Sequence, residues 1–487
     1  MKGRLLCMLA LLCAFFCLHG AAEEDAASVC RALLIGCDSF LTHDSTAPSA
    51  ALNVERMARM LQTDVRGYAR VTRMDGGIAG RAALRAAVQT AFEGAREEDI
   101  SLIYICTHGL YDRVSYEPLL VLSDGTREEN INAAALRRVL DSVPGTKILL
   151  LDACNSGAFI GKGVGGNRVN NAFSGGAYRV LTSAGAYEDS LLWHDRRAEG
   201  GSYFAQELCE GLRSRAFDLN ADGKVTLEEA YLGLLEYHGA STVQLYPQNE
   251  KTALYACDPA GADRGERPLG EIVLDNAVLR EGEDTLYFSF TVHRAVRVQY
   301  QIIYYRNGRW RFDAPQVIED AENADGALSP GRKERSVTLV SEDGDPYGYV
   351  LLQIVAQEGR NALLAGSRLI CVQSDSGDPT LRIWCGAGFA PGRGEELSVF
   401  VRHAFPCSLT VRVLDAEGVP VRRLAYKAPS RPIGQSRDGS FFYWDGRDAA
   451  GEIVPAGAYA IEVSCTVGGI TYRQQSGMIS VEDGGGK

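Results

Sequence analysis

Through the first half of the chain, short apolar runs alternate with stretches in which apolar residues return every three or four positions. Arg31–Cys37 (RALLIGC), Leu102–Cys106 (within SLIYICTHG) and Ile148–Leu151 (within TKILLLDACNSG) read as strands buried on both faces, as in a parallel sheet. Arg70–Met74, EPLLVLSDG and AYRVLTSAG supply further strands. SAALNVERMARMLQTD sets Leu52, Met57, Met60 and Leu61 at helical spacing, and GRAALRAAVQTAFEGA, NINAAALRRVLDSV and SYFAQELCEGLRS repeat it. Strands alternating with helices predict right-handed crossovers and a three-layer α/β/α sandwich with a mainly parallel sheet, running to about Asp258.

Beyond a linker rich in Gly, Pro and charge at Pro259–Gly270, the helical spacing disappears. TLYFSFTVH, VRVQYQIIYY, RSVTLVS and YVLLQIVAQ read as strands, and Asn307-Gly308 is a hairpin signal. They predict one β-sandwich over 270–374. After SDSGDP, the runs LRIWC, ELSVFVRH, SLTVRVLD and AYAIEVSC predict a second over 378–487. The α/β domain then occupies 23–260, behind a leader at 1–22.

A chain of 487 residues is too long for one core, which agrees with several domains. Its net charge of -12 leaves no basic stripe to displace counterions, so nucleic acid is excluded as the main partner. The leader has Lys2 and Arg4, an apolar run from Leu5 to Leu18, then Gly20-Ala21-Ala22 before Glu23-Glu24. That is the layout of a secretory signal peptide cleaved after Ala22. A retained membrane span needs roughly 20 apolar residues, more than this run supplies. The expected location is therefore secreted or at the cell envelope. Of the 13 cysteines, Cys7, Cys13 and Cys17 lie in the leader; the rest show no CxxC spacing, read mostly as core residues and specify no disulfide.

Two strand ends carry the candidate chemistry. Ile148–Leu151 breaks into Asp152-Ala153-Cys154-Asn155-Ser156-Gly157, and Leu102–Cys106 runs into Thr107-His108-Gly109. Ligands of open α/β sheets sit beyond the carboxyl ends of the strands. A thiol within reach of an imidazole can become the thiolate that attacks a carbonyl. Gly109 and Gly157 would leave room for a substrate backbone, and the N–H groups of Gly109 and Cys154 would form an oxyanion hole. A lone cysteine or histidine is more simply structural; both together at buried strand ends point to a cysteine hydrolase. His43, His194 and His238 are rival bases, but none has the strand–His–Gly context.

RALLIG, LIYICTHG and ILLLDACNSG together resemble the caspase–metacaspase superfamily, in which a strand-end His-Gly and an Asp-x-Cys-x-x-Gly carry the dyad. The resemblance runs from Val29 to Asp258 and takes in VLTSAG and Tyr246-Pro247-Gln248. It implies a cysteine endopeptidase with His108 as general acid/base and Cys154 as nucleophile. It also implies that Asp152 lines the primary specificity pocket and selects Arg or Lys, since a carboxylate can hold a guanidinium bidentately. The plainer reading of Asp152 is a residue that holds the loop. The chain departs from the metacaspase pattern at Cys106-Thr107, where Ser-Gly is usual, and at Asn155, where His is usual. After Cys154, AFIGKGVGGNRVNNAFSGG contains Lys162 and Arg168, where a basic-selective pocket would allow self-cleavage. The plainer reading of that segment is a loop covering the substrate.

DLNADGKVTLEE, Asp218–Glu229, places oxygen donors at calcium-loop positions: Asp218, Asn220, Asp222, the Lys224 carbonyl, Thr226 and Glu229, with the turn glycine at Gly223. Helical patterns flank it, as an EF-hand needs, although no second loop accompanies it. Ca²⁺ is the one ion expected, in a structural or activating role; the chemistry itself needs no cofactor. In the last domain, VRVLDAEGVPVRRL and FYWDGRDAAGEIVPAGAYAIEV resemble the immunoglobulin-like domain of flagellar hook-capping proteins. That implies a spacer or attachment module for a cell-surface or extracellular partner, with Trp444 as a core anchor and hairpin turns at Asp415–Gly418 and Asp445–Gly451. The sequence thus predicts a secreted cysteine endopeptidase acting on peptide or protein substrates. The competing expectation is a catalytically inactive, calcium-stabilised binding or adhesion protein on the same scaffold.

Overall fold

Parallel pairing of the apolar runs builds the first domain. In this computed structural model its main sheet contains β1 (Cys30–Gly36), β2 (Arg70–Met74), β3 (Ile100–Cys106), β4 (Thr146–Asp152), β5 (Tyr178–Thr182) and β6 (Gln244–Tyr246). Their order is β6-β5-β4-β3-β1-β2, parallel except for the β6 edge. The structure describes residues 28–43, 49–112, 115, 117–162, 171–194, 200–237, 241–248, 250–257, 268–270, 272–306, 308–311, 314–340, 348–358, 361–433 and 437–483. The leader, Arg168, His238 and most of the linker lie outside these residues.

Side chains alternate across a strand, so each apolar run serves two cores. Leu102, Tyr104, Ile148 and Leu150 pack with residues of α1 (Ser49–Leu61) such as Val54 and Met57, and with α4 (Tyr203–Arg213) and α5 (Leu227–Tyr237). Ile103, Ile105, Leu149 and Leu151 pack with Leu84 and Val88 of α2 (Gly80–Ala91) and Leu136 and Val139 of α3 (Ala133–Leu140). This is the expected three-layer sandwich. The register sets Gly36, Cys106 and Asp152 level across the three central strands.

EPLLVLSDG departs from the expected alternation. Pro118–Ser123 pairs instead with Gly109–Tyr111 and Glu128–Asn132 in a separate antiparallel sheet. Its Leu120–Leu122 run is fully buried, so its apolar pattern cannot be told from that of a central strand. Asn132 closes this sheet and caps α3, its side chain accepting the Ala135 N–H at 2.9 Å.

The calcium-type loop joins α4 to α5. Phe217 is wedged between the two helices: a β-carbon on Gly211 would come within 2.3 Å of its ring, and one on Gly233 within 2.1 Å. The short strand Lys224–Thr226 pairs antiparallel with Ala253–Ala256, where an EF-hand pair would use the second loop.

Past residue 268 the chain forms two β-sandwiches. The first faces Thr285–Val292 and Gly331–Thr338 against Arg297–Arg306, Tyr349–Glu358 and Asn361–Gln373, over a core with Phe288, Tyr300 and Ile354. The second faces Leu397–Arg402 and Ser440–Trp444 against Ser408–Leu414 and Gly457–Val467. Trp444 is fully buried there and its indole N–H donates to the Arg447 carbonyl at 2.9 Å. Among the described residues no helix is long and apolar enough to cross a membrane.

Because Phe217 fills the angle between α4 and α5, Phe217→Ala should destabilise the first domain by about 3–5 kcal/mol. Chemical denaturation followed by circular dichroism should show an early loss of helix signal while the β-sandwich transition stays in place.

Candidate active site

The predicted dyad is set by strand register. Continued two residues beyond the ends of β3 and β4, the pairing Cys106↔Asp152 would set His108 level with Cys154, and Thr107 N–H donates to the Asp152 carbonyl at 3.3 Å. On the far side of β3, Cys37 N–H donates to the Cys106 carbonyl at 3.0 Å and leads the 37–43 loop alongside the histidine. Phe40 and His43 lie against the His108 ring at centroid distances of 4.4 and 5.7 Å. His43 is 4.0 Å from Glu128, whose carboxylate also accepts from the Leu41 and Thr42 N–H groups and the Thr42 hydroxyl. Although burial opposes it, those hydrogen bonds hold the Glu128 carboxyl below its usual range. The rival His43 is therefore a rim neighbour of His108. His194 lies in the short strand Leu192–His194.

Gly109 and Gly157 are required for a different reason from the one expected. A β-carbon at Gly109 would come 1.8 Å from the Cys154 carbonyl oxygen and 3.0 Å from its nitrogen. At Gly157 it would meet Ala184 O at 2.8 Å and Lys162 O at 2.9 Å. The space predicted for substrate backbone is taken up by the chain's own backbone. The contact at Gly109 brings the two expected oxyanion donors together. Gly109 pairs with Leu120 through the Val121 N–H and His108 carbonyl, which turns the Gly109 N–H away from that ladder. Asn155 sits in the left-handed region at φ 58°, which asparagine tolerates better than most residues, and donates to the Gly109 carbonyl at 3.4 Å.

Asp152 is buried, with 3% exposure, and acts as a hub. It accepts from the Tyr104 hydroxyl at 2.8 Å, from the Ser190 hydroxyl at 3.1 Å and from the Ser202 hydroxyl. Ser202 also caps α4 by accepting the Ala205 N–H at 3.0 Å. In this conformation Asp152 holds the loop, and a cation would reach it by displacing Ser190.

The same segment lies over the thiol. Asn155 N–H donates to the Glu188 carbonyl at 2.8 Å, and the Cys154 thiol points at the Ser190 carbonyl at 3.7 Å. Burial first, and the Asp189 carboxylate beside it second, push the Cys154 thiol well above its ordinary value. Burial likewise raises Asp189, with Glu188 adding repulsion. The sequence reading missed Asp189, Ser190, Ser202 and Tyr104. The first two lie seven and eight residues beyond the end of β5, too far for the strand-end rule to single them out; Ser202 was visible as a serine opening a helix.

Lys162 is not an accessible cleavage point. It is buried beside Gly157, and its ammonium donates to the Leu245 carbonyl and the Glu396 carboxylate, each at 2.6 Å.

In the calcium-type loop, Gly223 turns at φ +84° and its N–H donates to Asp218 Oδ2 at 3.1 Å. Asn220 Oδ1 accepts from the Asp222 N–H, Asp222 Oδ1 from the Lys224 N–H, and Glu229 Oε2 from both the N–H and the hydroxyl of Thr226. The other oxygens, Asp218 Oδ1 and Glu229 Oε1, are buried with no hydrogen-bond partner. Orphaned buried carboxylate oxygens fit a hard cation. Among the described residues, however, no three His, Cys, Asp or Glu side chains converge closely enough to form a metal cluster by themselves.

Residues 29–230 match the family model described as the caspase domain, and the fold of this region is caspase-like. Among solved structures, caspase-1 from Spodoptera frugiperda is 15% identical over 43% of this chain and 78% of its own, with a TM-score of 0.30. A Geobacter sulfurreducens protein is 12% identical over 49% of this chain and 98% of its own, with a TM-score of 0.31. No curated protein matches the chain. The family match supports the caspase-like cysteine peptidases as the group that this domain is similar to.

A carboxylate beside a thiol disfavours the thiolate, so Asp189→Asn should lower the Cys154 pKa. Iodoacetamide labelling at Cys154, followed by mass spectrometry from pH 6 to 10, should show the rising limb at lower pH in the variant than in the wild type.

Proposed function

We propose that the protein is an exported cysteine endopeptidase of the caspase–metacaspase type that cleaves after Arg or Lys. The observation that supports this reading is the Cys106↔Asp152 register, which carried on for two residues would bring His108 level with Cys154, with Gly109 packed on the Cys154 backbone. His108 takes the thiol proton, and the Cys154 sulfur bonds to the peptide carbonyl carbon. The developing oxyanion is held by the N–H groups of Gly109 and Cys154. The carbonyl re-forms as the C–N bond breaks, and His108 delivers its proton to the leaving amine. Water then attacks the thioester, with His108 as base, and frees both acid and thiol.

Specificity for a basic side chain rests on Asp152, with Asp189 as a second carboxylate near the nucleophile. A guanidinium arriving at Asp152 replaces hydroxyl donors with a charged one, and its positive charge offsets the carboxylates that disfavour the thiolate. Of the two self-cleavage points expected in the following loop, only Arg168 stays in the proposal. The non-catalytic alternative predicts the same fold without turnover.

Fluorogenic peptides ending in Arg, Lys or Asp separate these readings. Arg or Lys peptides should be hydrolysed, with loss of turnover in Cys154→Ala and His108→Ala. Asp152→Asn should lower kcat/KM for the Arg peptide by about 100-fold or more while sparing Cys154 alkylation. A preference for Asp would remove Asp152 as selector, and absence of Cys154-dependent turnover after limited proteolysis would favour the binding scaffold.

For the Asp218–Glu229 loop we propose one Ca²⁺, held by Asp218, Asn220, Asp222, the Lys224 carbonyl, Thr226 and both oxygens of Glu229. Its part is structural, fixing the angle between α4 and α5. Calorimetry should show one Ca²⁺ per chain, and at 100-fold excess over Kd the ion should add about 2.7 kcal/mol of stability. Glu229→Gln should abolish the heat signal and the thermal shift without altering the apo fold.

A further inference from the structure

Besides its contacts with α5 and the Pro247-Gln248 turn, the last β-sandwich meets the first domain at two segments close to Cys154. The first is the turn Ser156–Lys162, which follows Cys154 directly and ends on the Lys162 ammonium. That ammonium and the Glu396 carboxylate are buried together, with side-chain exposures of 6% and 5%. Gln248 Nε2 adds a third bond, donating to Glu396 at 3.0 Å, and Gln248 N–H donates to the Gly394 carbonyl at 3.4 Å. Burial works against both charges, pulling Lys162 down and Glu396 up, while their mutual attraction opposes it.

The second segment is Ala184–Ser190, whose Ser190 carbonyl lies 3.7 Å from the thiol of the half-buried Cys154. Tyr187 stacks on Phe441 of the last sandwich at 6.3 Å and 20°, and Phe441 packs on Phe400 at 4.9 Å. On its other side Tyr187 meets Tyr111, two residues past Gly109, edge-on at 5.0 Å. One residue beyond Tyr187, the Glu188 carboxylate accepts from the Gly185 N–H and from the N–H and hydroxyl of Thr242. Two residues later, Ser190 covers both the thiol and Asp152. The sandwich thus braces the covering segment through an aromatic stack and the nucleophile's own turn through an ion pair.

We propose that the last β-sandwich is a latch in cis: Glu396 and Phe441 are positioning residues that hold the 184–190 segment closed over Cys154, and their release opens the site. Glu396 bears on Lys162 and Phe441 on Tyr187, and neither is offered as touching the substrate. The proposal rests on Cys154 being the site thiol and does not require that the protein hydrolyse peptides. A module serving only as a spacer would have no need of a buried charge inserted behind the nucleophile, where an ion pair costs desolvation.

The test is the rate of iodoacetamide labelling at Cys154 in the full chain, read by peptide mass spectrometry at several pH values, with Arg-peptide turnover measured in parallel. Glu396→Gln, Lys162→Met and Phe441→Ala should each raise the labelling rate about tenfold. The double variant Lys162→Met/Glu396→Gln should gain no more than either single change, because the two residues form one interaction. Labelling of Cys407, fully buried in the last sandwich, reports whether that domain stays folded. Should Phe441→Ala expose Cys407, Phe441→Leu takes its place. Unchanged or slower Cys154 labelling with Cys407 still protected would overturn the latch. Faster labelling without turnover in any variant keeps the latch and removes the peptidase reading; turnover with unchanged labelling does the reverse.

Discussion

The level pairing of β1, β3 and β4 is the constraint on which the site depends. Each strand is apolar on both faces, so a slip of one residue would exchange the α1/α4/α5 core with the α2/α3 core. Ile103 and Leu149 are chosen for one side, Tyr104 and Leu150 for the other, and that choice fixes the register. The register in turn fixes where the strands end: Gly36, Cys106 and Asp152 in a row, then three loops leaving side by side. His108 and Cys154 are each the second residue past that line, on adjacent strands. The close approach at Gly109 is possible only without a β-carbon.

The electrostatics of the site contain a conflict. A pocket for a basic side chain calls for carboxylates, and a reactive thiolate is disfavoured by them. The structure answers the first half of this conflict. Tyr104, Ser190 and Ser202 all donate to Asp152, so its charge is spread over three hydroxyl bonds in the resting state. Asp189, by contrast, adds to burial in disfavouring the Cys154 thiolate. Moving the 188–190 segment would remove Asp189 from the thiol and a donor from Asp152 in the same step.

The sequence made the first domain legible because its strands are long, apolar and separated by amphipathic helices. Cys154, His108 and Asp152 were legible because strand ends in such a sheet are few and these three lie at two of them. What the sequence hid has a common physical cause. Pro118–Ser123 is as apolar as a central strand, so hydropathy could not assign it to a second sheet. Lys162 looked like an exposed loop cation because its partner, Glu396, is 234 residues away. Asp189 and Ser190 were read past because they lie seven and eight residues beyond β5, in a segment without a motif. Burial and partnership across domains are set by tertiary packing, and no local pattern encodes them.

The single calcium-type loop and the last β-sandwich raise the same question: what becomes of a module that ordinarily has a partner. For the loop, the first domain supplies the replacement: Ala253–Ala256 pairs with Lys224–Thr226 as a second EF-hand would. That strand follows β6 and the turn bearing Gln248, the residue that bonds Glu396. For the sandwich, the replacement partner is the first domain itself, met through Glu396 and Phe441. A buried lysine–glutamate pair contributes little net stability compared with apolar residues of the same volume, but losing either member leaves an uncompensated charge. Such a contact has little to offer a passive tether. Its strength is all-or-none response: intact, it fixes one geometry; with either charge removed, it disfavours that geometry. Of all the places where two domains could touch, this one lies at the end of the turn that begins two residues after Cys154.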